Sequence, residues 1–169
     1  MRGAVVLFLT VYLLRALVAE VNSALSGAHV WIFAGGLFLA YASLMATFRQ
    51  GLAVAVLAGL LCDALAPVGF GTHAALFAVA HSLVYHFRER LQREETGVRV
   101  AVALLVNIGL FAALSFARIR VLPAVAAAWP RLLSDLLISE GAIVLVAPWF
   151  FALQASTLEL ARAPTERSL

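Results

Sequence analysis

The sequence predicts an all-α integral membrane protein, a compact bundle of six transmembrane helices. Three observations carry that expectation. Of the 169 residues, 64% are hydrophobic and only 12% are charged, whereas a soluble domain is about 25% charged. Mean hydropathy is +1.01, a value that makes the bilayer the solvent. The apolar residues also gather into stretches close to the ~20 needed to cross a ~30 Å hydrocarbon core.

Taken in order, the stretches predict helices over 3–19, 30–48, 51–65, 72–87, 98–117 and 132–155. The first is interrupted by Arg15. Arg2 followed by "GAVVLFLTVYLL" resembles a secretory signal, but Arg15 and Glu20 stand where an uncharged cleavage region belongs, so the segment is read as a helix. The third and fourth are short enough to form a re-entrant pair. Their joint length of roughly 36 residues favours two crossings that meet at a turn over 67–71. Residues 1–155 then form the membrane domain and 156–169 a cytoplasmic tail.

Every basic residue is an arginine, and placement matters more than the sum of +3. With the N-terminus inside, eight arginines (Arg2, Arg49, Arg88, Arg90, Arg93, Arg99, Arg162, Arg167) lie on the inner side and three (Arg118, Arg120, Arg131) on the outer. That bias puts both termini in the cytoplasm. The inner loop "RERLQREETGVR" reads as a solvated cap on two helix ends or as a docking point for a cytoplasmic partner. The outer stretch 118–131, bracketed by Pro123 and Pro130 and carrying Trp129, reads as a segment lying on the outer bilayer face.

Ionisable residues within the spans are costly, at least ~2.5–3.5 kcal/mol at a helix centre, and normally face the interior and find partners. Here they are Arg15, Asp63, Asp135 and Glu140, with His81 and Asn107 as polar company. At ~1.5 Å per residue, Arg15 and Asp63 both lie roughly 18 Å above the inner side and Glu140 roughly 12 Å below the outer one. The expectation is one buried polar cluster in which Arg15 is neutralised by Asp63, Glu140 or both.

In the third helix Gly51, Ala55 and Gly59 recur every four residues, and Asp63 continues the series. Such positions share a face, and small residues there let another helix come close. Pro67 stops the helix, while Gly69 and Gly71 permit a tight reversal, including φ > 0. Asp63 is expected to hold this reversal together, either by pairing with a basic group or by accepting backbone N–H bonds at the start of the fourth helix.

Other chemistry is sparse. The lone cysteine, Cys62, excludes an intrachain disulfide and reads as a small core residue. His73 and His81 fall near one helix face but lack a third ligand at matching depth, so no metal is expected. No cofactor is expected either. Asp135 and Glu140 share a face only loosely, and no phosphate loop, nucleophile elbow or HExxH accompanies them. No catalytic residues are assigned. Pro148 and Trp149 suggest a kink with an aromatic filler.

The run "LAGLLCDALAPVGFGTHAALFAVAHSLVYHFRERL" (57–91) resembles the signature region of the bacterial rod-shape-determining MreD family. The matching positions are Gly59, Asp63, Gly69, Gly71 and the Arg88–Arg90 cluster, with "APWFFALQ" (147–154) as a late companion; His73 departs from the pattern. The resemblance implies a bundle similar to the substrate-binding subunits of energy-coupling-factor vitamin transporters. It implies a non-enzymatic scaffold for side-wall peptidoglycan synthesis in the inner membrane. The implied partners are an MreC-like protein, a RodA-type glycosyltransferase, a class B penicillin-binding protein and, indirectly, the MreB filament. Arg118, Arg120 and Trp129 are the residues offered to a partner. The alternatives are a vitamin-binding transporter subunit, which would need more polar residues than this chain offers, and a small intramembrane enzyme using Asp135 and Glu140.

Overall fold

The structure, a computed structural model, describes residues 2–65, 69–92, 94–119 and 125–162. Among them are six α-helices and no strand: α1 (Arg2–Leu25), α2 (Gly35–Met45), α3 (Phe48–Asp63), α4 (Thr72–Phe87), α5 (Thr96–Ile119) and α6 (Val125–Arg162), with single 3-10 turns at Ser26–Ala28 and Arg88–Arg90. Three spans are long and apolar enough to cross a bilayer, Val5–Ala28, Thr96–Ala117 and Trp129–Thr157, and mark the chain as a membrane protein. The other three helices have 11, 16 and 16 residues, so at ~1.5 Å per residue none exceeds about 24 Å. Of these, α2 is enclosed over Gly36–Leu44, while α3 and α4 each bury one face.

The interior is built around α2. Leu37, Leu39 and Leu44 are almost completely enclosed, with Phe77 of α4 and Ile143 and Phe151 of α6 around them. Tyr41 stacks on Phe151, and Phe38 meets Phe77 edge-on. The long helices present their apolar side outward instead: Leu13 on α1 and Leu145 on α6 are 65% and 75% exposed, as lipid-facing residues should be.

The contacts Asp63–His73, Gly59–Ala74, Gly51–His81 and Phe48–Tyr85 step in opposite directions along α3 and α4, so the two helices are antiparallel neighbours. Glycine makes this possible. A methyl group on Gly59 would collide with the Ala74 backbone, and one on Gly51 would collide with the His81 ring. Gly36 plays the same part between α2 and α5, against the backbone of Ala103 and Asn107.

Three expectations are corrected. The second helix does not run over 30–48. His29 adopts a left-handed conformation at φ 55, and residues 30–34 are non-helical before α2 starts at Gly35. An apolar run this short has no periodicity that separates helix from buried extended chain. Residues 125–131 are likewise not separate from the last helix: they form the start of α6, whose apolar span begins at Trp129, and α6 continues past 155 to Arg162. A proline is tolerated within an intramembrane helix where neighbouring groups satisfy the freed carbonyls. Trp149 is no filler: it is 81% exposed.

Candidate functional site

The α3–α4 junction gathers several hydrogen bonds on one buried carboxylate. The Asp63 carboxylate stands at the last residue of α3 and faces the first turn of α4. Its Oδ1 accepts the His73 backbone N–H at 2.9 Å and the His73 ring Nδ1–H at 2.8 Å. Its Oδ2 accepts the N–H groups of Gly71 at 3.0 Å and Ala74 at 3.2 Å. The first N–H groups of a helix have no internal partner, and a negative charge there also meets the positive end of the helix dipole. Gly71, at φ +94, turns the chain into α4 in a conformation that suits glycine. Gly69 contributes its carbonyl, which accepts from Thr72 N and Oγ1. Pro67 lies outside the described residues.

At the other end of the hairpin His81 is fully enclosed. Its Nε2 lies 3.2 Å from the Phe48 carbonyl. A carbonyl only accepts, so that nitrogen carries a proton. Nδ1 meets the Ser43 hydroxyl at 2.9 Å. Arg88 closes the same end, donating to the Ala46 carbonyl while its guanidinium lies over the Tyr85 ring at 3.7 Å. The break between α2 and α3 is thus held by side chains from α4 and the turn that follows it.

The non-helical segment before α2 is the third polar site. Its backbone groups have no helical partners, and three helices supply them. Asn22 of α1 pairs both ways with Ile32, receiving its N–H at 2.7 Å and donating to its carbonyl at 2.9 Å. Asp135 of α6 accepts the Trp31 N–H at 3.0 Å, and Ser139, one turn on, accepts the Phe33 N–H at 2.9 Å. Asn107 of α5 accepts the Gly36 N–H at 3.0 Å and donates to Glu140 Oε1 at 2.8 Å. Irregular backbone at membrane depth is tolerated only where protein buries it or water reaches it. Here protein side chains supply the partners.

The four charges expected in one cluster are therefore divided. Asp63 caps α4, Asp135 holds the non-helical segment, and Glu140 pairs with Asn107. Arg15 donates from Nη1 to the Cys62 Sγ at 3.1 Å, and it forms no hydrogen bond with Asp63 or Glu140. Of the partner candidates, Trp129 is about half exposed on α6, Arg120 lies outside the described residues, and the Arg118 side chain is not among those described.

The chain matches no family model, no curated protein and no solved structure. Its function has to be read from its own groups. Among the described residues no set of three or more His, Cys, Asp or Glu is placed to hold a metal ion. What the buried polar side chains do is hold backbone: Asp63, Asp135, Asn22, Ser139 and Asn107 each accept at least one main-chain N–H. Reading the sequence missed Asn22, Ser139 and the role of Cys62. The available signal was spacing, since Ser139 follows Asp135 by one helical turn and so shares its face.

Proposed function

We propose that the chain is a non-enzymatic membrane scaffold of the bacterial cell-elongation machinery, of the MreD type. It sits in the inner membrane with both termini cytoplasmic. It binds an MreC-like protein, a RodA-type glycosyltransferase and a class B penicillin-binding protein and, indirectly, the MreB filament.

The observation that carries this reading is the coincidence of motif and lock. Gly59, Asp63, Gly69 and Gly71, the residues on which the resemblance rests, are the ones that seat α4 against α3. A motif kept for the shape of a hairpin, with no reacting group in it, suits a protein that works by presenting surfaces. The deployment of the buried carboxylates supports the same reading: Asp63 and Asp135 hold main-chain N–H groups, which leaves neither oriented toward a substrate. Trp129, about half exposed, is the described residue offered to the outer part of a partner.

The transporter reading has one observation in its favour, a cavity beside Arg15. At ≈ 120 Å³ it falls well short of the ~300–1,000 Å³ typical of sites for drug-sized ligands, and its walls are largely apolar.

The test is a pull-down from native membrane in mild detergent, read by mass spectrometry. Recovery of an MreC-like protein, lost for a Trp129→Ala chain that still folds, is the expected result. Recovery of ATPase subunits with a transmembrane coupling protein would replace this reading with the transporter one.

A further inference from the structure

Arg15 is the one cation among the four intramembrane charges named above, and the partner it meets is an uncharged side chain. It lies near the middle of the span Val5–Ala28. A guanidinium has five N–H donors, and the bond that Arg15 makes is to a thiol sulfur. The nearest carboxylate in sequence beyond that sulfur, Asp63, already receives four donors. Both ends of the neighbouring Asn22 amide are taken by Ile32. An arginine at this depth normally pairs or faces water.

Arg15 also lines a cavity of ≈ 120 Å³ between α1, the non-helical segment 31–34, the start of α2, Cys62 of α3 and Phe77 of α4. Its apolar walls include Val11, Leu14, Phe33, Phe38 and Phe77. A dry engineered cavity of ~150 Å³ accepts benzene, so this one has room for a small head group or a few methylenes.

We propose that this cavity binds the anionic head group of an amphiphile drawn from the surrounding membrane, a phosphate or carboxylate carried on an acyl chain, with Arg15 as its ion-pairing donor. The guanidinium fork matches both groups in bidentate geometry. Apolar walls beside a single cation suit an amphiphile better than a free ion, which would ask for several donors. The tail has a surface to follow, because the α1 span is only 17% buried. This site stands apart from the partner-binding reading, and neither depends on the other.

Trp31 lines the cavity and reports on it. In a Trp129→Phe, Trp149→Phe background it is the sole tryptophan of the three in the chain. The full chain is placed in phosphatidylcholine nanodiscs doped with either brominated phosphatidylglycerol or brominated phosphatidylcholine. The expected result is quenching of Trp31 by the anionic lipid at about fivefold lower mole fraction, close to 1 kcal/mol at ~1.4 kcal/mol per tenfold. Arg15→Gln abolishes the preference and Arg15→Lys retains part of it. Equal quenching of the Arg15 protein by the two lipids overturns the proposal, whatever the variants do. So does a preference that survives Arg15→Gln. Loss of the preference on adding millimolar inorganic phosphate assigns the site to free phosphate and overturns the lipid assignment.

Discussion

Asp63 and His73 meet twice: one carboxylate oxygen takes both the backbone N–H of His73, at 2.9 Å, and its ring Nδ1–H, at 2.8 Å. The other oxygen takes Gly71 and Ala74. A single side chain thus fixes where α4 begins, which way its first turn points and how the His73 ring sits. The ring in turn meets Phe77 edge-on inside the bundle.

Removing that side chain leaves three backbone donors without partners. Each unmet buried donor costs about 1–3 kcal/mol, partly relieved by water, and loss of a helix cap alone costs about 0.5–2 kcal/mol. Asp63→Ala is expected to destabilise the protein by about 2–4 kcal/mol, with Asp63→Asn intermediate because it keeps one acceptor oxygen. Unfolding in detergent micelles by heat or SDS measures both. An Asp63→Ala protein as stable as the native one would mean that the turn holds α4 without the carboxylate.

The glycines divide into two kinds, and alanine separates them. At Gly59 an added methyl meets the Ala74 backbone, whereas at Gly141, on the exposed side of α6, it meets nothing within 4 Å. Gly59→Ala must push α3 and α4 apart and is expected to cost about 1–3 kcal/mol. Gly141→Ala is expected to gain about 0.5–1 kcal/mol from the lower entropy of the unfolded chain. The same unfolding experiment reads both, and equal effects would contradict the packing described here.

How much of this was legible beforehand varies by element. The boundaries of α4 are those the sequence predicts, because Gly71 and the arginines after Phe87 punctuate it on both sides. The spacing of Gly51, Ala55, Gly59 and Asp63 also pointed to a close-packed face ending at a turn. The pairing of the charges was not legible. Depth along a helix is a one-dimensional estimate, whereas partner choice depends on azimuth, which apolar sequence on every side leaves open. So Arg15 met Cys62 and not Asp63, although the two are adjacent in the chain. The non-helical segment at 30–34 was hidden for a different reason: its hydrogen bonds come from other helices, from Asn22 of α1 and, far away in sequence, from Asp135 and Ser139 of α6.

That segment gives a prediction of its own. Trp31 and Phe33 donate their N–H groups to side chains of α6, at Asp135 and Ser139. Without them the segment has Asn22 alone on this stretch. Asp135→Ala and Ser139→Ala are expected to raise amide hydrogen exchange across 30–34 by roughly tenfold each, the equivalent of about 1.4 kcal/mol for one lost hydrogen bond. Exchange in α4 should not change. Increased exchange spread evenly over the molecule would instead show that the two residues support global stability.

Glu140 gives the prediction with an unusual sign. Its Oε1 accepts from Asn107 Nδ2, while Oε2 is buried with no hydrogen-bond partner among the described residues. A carboxylate in this state keeps one favourable contact and carries an uncompensated cost. Glu140→Gln retains an oxygen for Asn107 and removes the charge, so it is expected to raise stability by about 1 kcal/mol. Glu140→Ala removes the acceptor and leaves the Asn107 amide unmet, which lowers stability by about 1–3 kcal/mol. Asn107 also receives the Gly36 N–H, so the loss should extend to the start of α2 and appear there as faster hydrogen exchange. If both variants destabilise alike, the free oxygen of Glu140 has a partner that the native protein needs, and its charge is functional.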